Sequence, residues 1–495
     1  MYLLIILMSI AAMATEIPRG TTLSVRQQGK VGTRSSKVGD PVTGVLLAPV
    51  LDQGRTILPA GSELQGRVTT VHRMGLGFKH PAASLALGFH SIRLPGGKSI
   101  AIDARMIRVE TARESVDAGG RIHGIGSATN VSSSLAVAAW RLLVLEPGVG
   151  IPVWVTKLFF APAPDTEIVF PAGTEYRLEL IQPLQIEGAD FGPPASPLSP
   201  VIRADTLTAM HALPSQRVGR MSGASADLVN LILVGSDGSV LRSFQAAGWA
   251  TSDVKTVGSV LRTYFSIVLR KGYRKAPMAT MVLEGNRSDM QLQKSLNTFA
   301  RRHHLRIWRR PQQADGESVW VVTATEDIGI RFSRQARNFT HAIDGNVDAE
   351  RTKVVNDLVY TGCVSEAGLL ERSNLPADLE NGTGTKLQTD GHVAVLRVDK
   401  CAAPRVMPGV RASERTNILR RLGASLRTEL IRSNFLSLAY NTIRMTSATP
   451  KFLLGKPLRD DTGAALTRQQ LAWLGGKGAP IAELAAPEAE SYECH

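Results

Sequence analysis

Residues 301 to 310 hold five arginines, two adjacent histidines and a tryptophan in ten positions. Imidazole and guanidinium groups at that density suit two chemistries: metal ligation with proton transfer, or capture of an anion by cationic donors. On a strand, successive side chains point to opposite faces, so His304, Arg306 and Trp308 share one face while His303, Leu305 and Ile307 share the other. Downstream, His341, Asp344, Asp348, Glu350 and Arg351 stand where a helix is expected to start. His303, His304, His341, Asp344, Asp348 and Glu350 could together ligate a divalent metal or supply an acid/base pair for hydrolysis. The same residues also have a purely structural reading. Asp344 or Asp348 would cap the helix, and Arg306 with Trp308 would form a cation–π or salt-bridge cluster. Tight metal signatures, such as two histidines four apart on a helix or Cys-x-x-Cys, do not occur. No cofactor is expected from the sequence, although these donors could hold a divalent metal.

The elements that must position these residues read as an α+β domain. A strand at 303–308 and another at 319–324 would pair across the turn-rich segment 311–317. A helix at 344–362 follows, with Val347, Val354, Val355 and Leu358 on one face. The hairpin is expected to bring the Arg306/Trp308 face beside the start of that helix, where Arg306 and His304 would meet Asp344, Asp348 and Glu350. Upstream, the apolar run Leu228 to Val234 passes through Gly235-Ser236-Asp237-Gly238 into a helix at 240–247. That turn lacks the lysine and glycine spacings of a nucleotide loop, and no Gly-x-Ser-x-Gly elbow occurs. A helix at 252–269, with apolar Val254, Val257, Val260, Leu261, Phe265 and Val268, a strand at 392–398 and a helix at 412–432 complete the domain.

From Thr21 to Val109, short apolar runs alternate with turn signals, which predicts a small β-barrel or sandwich, extended by the phrase at 168–180. The fold class expected is therefore multidomain: an N-terminal all-β barrel or sandwich at 21–182, then an α+β domain at 227–450. Residues 183–226 would be a Pro-rich linker, and 451–495 a loosely ordered tail. Within the first domain, 132–160 is apolar but is broken by Arg141, Glu146, Lys157 and Pro147-Gly148. Neither half reaches the ~20 apolar residues of a membrane span, so a buried or membrane-dipping hairpin is expected.

Residues 1–14 read as a secretory signal peptide, an apolar stretch closing on Ala12-Met13-Ala14, although the basic first region is missing. Export would place the chain in the periplasm or cell envelope. There the three cysteines, Cys363, Cys401 and Cys494, would give one disulfide, Cys363–Cys401, and one odd thiol. The formal net charge of +14 suits anionic lipid or an envelope polymer, with peripheral membrane association, or other envelope proteins. No helix-turn-helix, zinc-finger or RNA-recognition pattern supports nucleic acid.

Four phrases in order, LVNLILVGSDGSVLRSFQAAGW, RRHHLRIWRR, VWVVTATEDIGI and THAIDGNVDAERTKVVNDL, spanning about residues 227–362, resemble the LssY C-terminal domain family. The resemblance implies a bacterial domain often joined to membrane modules related to lipid-phosphate phosphatases, and no established activity. It maps a basic-histidine strand onto His303, His304, Arg306 and Trp308, and a helix-start phrase onto His341, Asp344, Asp348, Glu350 and Arg351. This chain departs from the family at Ala342, where a second histidine is common, and at Gly345, where proline is usual. A metal site needing two adjacent histidines there would be impaired. The ILPAGSELQGRV and LPGGKSI phrases resemble the β-barrel scaffold subunits of type IV secretion and conjugation channels, which implies a barrel and an envelope setting. The expected role is a non-enzymatic binding or scaffold protein. The alternative is a hydrolase acting on a phosphate-containing or lipid-linked substrate through a His/Asp site.

Overall fold

A computed structural model describes residues 14–74, 82–125, 146–160, 164–187, 191–219, 225–333, 338–372, 375–376, 379–399, 401 and 405. The leader up to residue 13, the first half of the apolar hairpin, the helix at 412–432, the tail at 451–495 and Cys494 lie outside the described residues. The chain divides into two compact units, one of 1–73, 83–125 and 166–416, the other of 74–82, 126–165 and 417–495.

In the first unit six strands close a barrel: β1 (Thr22–Gln27), β2 (Pro41–Leu46), β3 (Glu63–His72), β4 (Ser84–Arg93), β5 (Ser99–Val109) and β6 (Glu175–Leu180). The order is β4-β3-β2-β1-β6-β5, and pairing of β4 with β5 completes the ring. Strand formation follows from period-two patterning: Ile102, Ala104 and Met106 of β5 are buried while the residues between them are exposed. Closure depends on close backbone approach at Gly66, where a Cβ would lie 2.5 Å from the carbonyl oxygen of Gly88.

The same unit carries a seven-stranded sheet. Its strands are β7 (Leu231–Val234), β8 (Ala250–Thr251), β9 (Met290–Lys294), β10 (Arg302–Ala314), β11 (Glu317–Ser333), β13 (Val364–Glu371) and β14 (His392–Val398). They lie in the order β8-β9-β10-β11-β7-β14-β13, with β12 (Asn338–Ile343) added along β11. Only β7 and β14 run parallel among these pairs. The hairpin β10–β11 is far longer than its sequence cores suggest because its turn is just Asp315-Gly316, both with positive φ (48° and 76°).

Five helices are described: α1 (Pro147–Phe160), α2 (Pro200–His211), α3 (Asp237–Ala246), α4 (Val257–Val268) and α5 (Val347–Tyr360). Val240 and Phe244 of α3 and Val354 and Leu358 of α5 pack with Leu305, Ile307 and Val322 on one sheet face, where barrel residues Val45 and Leu47 join the same core. Ile202, Ala209 and Met210 of α2 cover the other face against Ile232, Val234 and Val395.

Two expectations are corrected, and the apolar hairpin is described only in its second half. Residues 183–226, expected as an exposed linker, include a strand at Leu184–Glu187 that pairs with Ala14–Ile17, the core-forming helix α2 and a strand at Gln216–Gly219. Prolines 193, 194 and 197 precede the helix and Pro200 opens it after the cap Ser199, so they punctuate an element and do not merely stiffen a connector. The described half of the apolar hairpin is one helix, α1, with Val149, Ile151 and Phe160 exposed. No described helix is long and apolar enough to cross a membrane. The cap of α5 is Asn346, whose side chain accepts from the Ala349 N–H; Asp344 accepts from the Asn346 N–H outside the helix.

Candidate functional site

The adjacent histidines point to opposite faces of the sheet and meet different partners. On the face covered by α5, His303 Nδ1 lies 2.8 Å from Glu350 Oε2, and its cross-strand neighbours are Lys294 and Glu326. Glu110, one residue beyond β5, approaches from the barrel, its Oε2 3.8 Å from His303 Nε2. Arg108 pairs with Glu110 at 3.1 Å and also with Glu326, and Arg177 holds the other Glu110 oxygen at 3.0 Å.

Beside this group five charges meet where barrel and sheet join. Glu175 of β6 receives Lys353 at 2.6 Å, Lys294 at 3.2 Å and also Arg26. Asp357 receives Lys294 at 2.6 Å, Lys353 at 3.0 Å and the Trp249 indole N–H at 3.0 Å. Two carboxylates thus face three cations. Burial opposes ionisation of both acids, yet the lysines and Arg26 outweigh it and hold Glu175 and Asp357 below the ordinary carboxylate values. Burial is also the largest influence on the lysines: it lowers Lys294 to about 8, whereas Asp357 and Glu175 hold Lys353 above its ordinary value. Of the two lysines, Lys294 is the one whose charge burial disfavours. A cavity of about 30 Å³ is lined by Arg26, Glu110, Glu175, Lys294 and His303.

On the opposite face Asp327 gathers Arg302 (2.7 Å), His304 (3.5 Å) and His341 (3.8 Å). Burial again opposes the charge, but His304, Arg302 and His341 keep the Asp327 carboxyl below its usual value. Burial lowers His341, against the attraction of Asp327. Arg306 is buried and donates to the Ala279 carbonyl at 3.0 Å, while its Nε and Nη1 have no hydrogen-bond partner. Burial, with Arg302 nearby, lowers this guanidinium to about 10. Trp308 packs with Leu213, Val229 and Val321.

The expected juxtaposition is thereby corrected. The Arg306/Trp308 face does not meet α5; His303 does, because α5 packs on the Leu305/Ile307 side. The six proposed metal or acid/base donors do not converge: His303 and Glu350 form one pair, His304 and His341 share Asp327, and Asp344 stands apart. Asp348 bonds Thr389 and Arg351, and Arg351 also grips Asp390 at 2.7 Å. These two line a cleft of about 450 Å³ with Ser24, Arg177 and Lys353. Glu110, Glu175, Lys294, Glu326, Asp327 and Asp357 went unremarked in the sequence. For Glu326-Asp327 a signal existed, two acids interrupting the apolar strand VWVVTAT. Cys363 and Cys401 form a disulfide with Cα atoms 4.7 Å apart.

A different kind of surface lies on α4. Thr256 and Ser259 form a capping box that starts the helix. Val257, Val260, Leu261, Tyr264 and Ile267, at helical spacing, are 80%, 59%, 53%, 44% and 47% exposed. Lys255, Arg262, Arg270, Lys271 and Lys275 are exposed around them.

The fold defines a closed β-barrel fused to an α+β sheet domain through a buried ionic junction. Residues 210–393 match the family model described as LssY C-terminus, which covers most of the sheet domain. No curated protein matches this chain. Among solved structures, ComB10 of the Com type IV secretion system of Helicobacter pylori is similar at 10% identity and a TM-score of 0.19, covering 34% of this chain and 88% of that one. A likeness at that score says nothing about what this protein does.

Proposed function

We propose that the protein is a non-enzymatic binding scaffold of the bacterial cell envelope that docks on an anionic membrane surface through α4. The observation that carries this reading is the outward apolar face of α4 with its cationic border. A helix of a soluble domain turns such a stripe toward the core. An apolar face bordered by lysine and arginine is instead the pattern of a helix lying in a lipid interface. Fully burying a Val, Leu or Ile side chain is worth about 1.5–3 kcal/mol, and each cation near an anionic leaflet about 1 kcal/mol, so five apolar residues support reversible docking. An anionic polymer would engage the cations and leave the apolar face wet. The disulfide Cys363–Cys401 and the leader-like first residues support an exported setting. The hydrolase alternative is weakened because its expected donors divide between the two faces of the sheet, His303 with Glu350 on one and His304 with His341 on the other.

Vesicle flotation of the full chain tests the proposal. Phosphatidylglycerol vesicles should carry the protein upward and phosphatidylcholine vesicles should carry much less, with high salt weakening the binding. No flotation with anionic vesicles, or equal flotation with both lipids, overturns it.

A further inference from the structure

We propose that Glu110, His303 and Glu326 bind one divalent first-row transition ion where the barrel meets the sheet, with Glu350 orienting the histidine. The three side chains come from the end of β5, from β10 and from β11, and all are buried. One ligand atom from each lies within 4.8 Å of the others. Two atoms bound to one ion at ~2.1–2.4 Å cannot be more than about 4.8 Å apart, so the spacing meets the limit a shared ion imposes.

Acidic residues alone would not identify a site; the state of His303 does. Its Nδ1 is committed to Glu350 at 2.8 Å, the carboxylate–histidine arrangement that fixes a metal-binding imidazole and leaves Nε2 as the ligand. That Nε2 is buried, has no hydrogen-bond partner and stands 3.8 Å from Glu110 Oε2. The gap is too long for a hydrogen bond, yet it lies within the ~4.2 Å that two ligands each bound at ~2.1 Å to one ion can span. A neutral imidazole with its Nδ1 proton on Glu350 would otherwise aim a lone pair at a carboxylate oxygen. The adjoining cavity of about 30 Å³ can hold a water completing the ion's coordination. One imidazole nitrogen with two carboxylate oxygens suits zinc or manganese better than calcium or magnesium, which prefer oxygen alone.

Arg108 now supplies positive charge to both carboxylates. Its side chain is 28% exposed, so the guanidinium can turn outward as the ion enters and one cation replaces another. Arg177 holds Glu110 Oε1, while Oε2, shared with Arg108 Nε at 3.1 Å, is the oxygen that faces the histidine.

The test uses the full chain, stripped with EDTA and titrated with Zn²⁺ or Mn²⁺, with Ca²⁺ and Mg²⁺ as comparators. One transition ion per chain, a raised melting temperature and imidazole nitrogen coupling in the pulsed electron paramagnetic resonance spectrum of bound Mn²⁺ are expected. Glu326→Gln and His303→Gln, checked for fold by circular dichroism, should lose the ion. Glu350→Gln should weaken binding about 10- to 100-fold. Arg108→Gln should tighten it, because the competing cation is gone. Absence of one-to-one binding, absence of nitrogen coupling, or binding unchanged in Glu326→Gln would overturn the proposal. The spectroscopic readout decides even if His303→Gln fails to fold.

Discussion

The junction between barrel and sheet, and helix α4, invert the usual partition of side chains in opposite ways. The junction buries Glu175, Lys294, Lys353 and Asp357, whereas α4 exposes Val257, Val260 and Leu261. Burying charge is costly unless every ion is paired, and exposing a wide apolar stripe wastes its capacity to stabilise the fold. The ions have their partners inside the chain. Among the described residues of α4 only Ser259 is buried, so its apolar stripe adds little to the packed core. The contrast teaches that the junction fixes how one chain holds itself together, while the docking proposed for α4 would draw on apolar surface the fold leaves exposed.

The largest expected effect comes from breaking the junction at Lys353, the lysine its carboxylates hold above the ordinary value. Lys353→Met leaves Glu175 and Asp357 with less compensation, and removing one partner of a buried ion pair typically costs about 3–5 kcal/mol. Lys294→Met removes the lysine whose charge burial disfavours and leaves two carboxylates with Arg26 and Lys353, so its cost should be smaller. Urea unfolding of both variants measures the difference; equal losses would show that the two lysines are equivalent.

Helix α4 should respond in the opposite sense. Replacing Val260 and Leu261 by serine removes two side chains that stabilise the isolated fold little, so the melting temperature should hardly change. Affinity for anionic vesicles should fall about tenfold or more, since each 1.4 kcal/mol of lost apolar burial is a factor of ten. A fall in melting temperature without loss of vesicle binding would mean that α4 packs against the protein itself.

The strands, the barrel and the alternation that separates His303 from His304 were legible because period-two patterning is local. The pairings were not. Glu110 and Glu175 lie far from His303 and Lys294 in the chain, and no pattern within a strand tells which rim of a barrel will meet which sheet face. Even the sequence-near expectation for Arg306 failed: a hairpin returns the chain beside itself but leaves open which face the next helix covers, and that was settled by Leu305 and Ile307 packing with Val354 and Leu358. The apolar spacing of α4 was equally visible, yet spacing gives a stripe and not its direction. Whether such a stripe turns inward depends on tertiary partners.

The smallest effect separates the two lysines by pH. Lys294 is lowered by burial to about 8, against an ordinary value of 10.5, so between these limits the unfolded chain binds more protons than the folded one. Stability must then rise with pH across that window, because the fold no longer has to hold Lys294 charged while the unfolded chain still takes up the proton. Lys353 has the opposite sign: its raised value gives stability that is present at and below its ordinary value and is lost only above it, outside the window. The wild type should therefore gain on Lys294→Met by about 1–2 kcal/mol between pH 7.5 and 10, taking less than the ~1.4 kcal/mol per unit of the full shift because the neighbouring charges readjust. Urea denaturation of both proteins through that range gives the difference curve. A flat curve would mean that Lys294 stays charged throughout, and burial would no longer explain which lysine is the weaker partner.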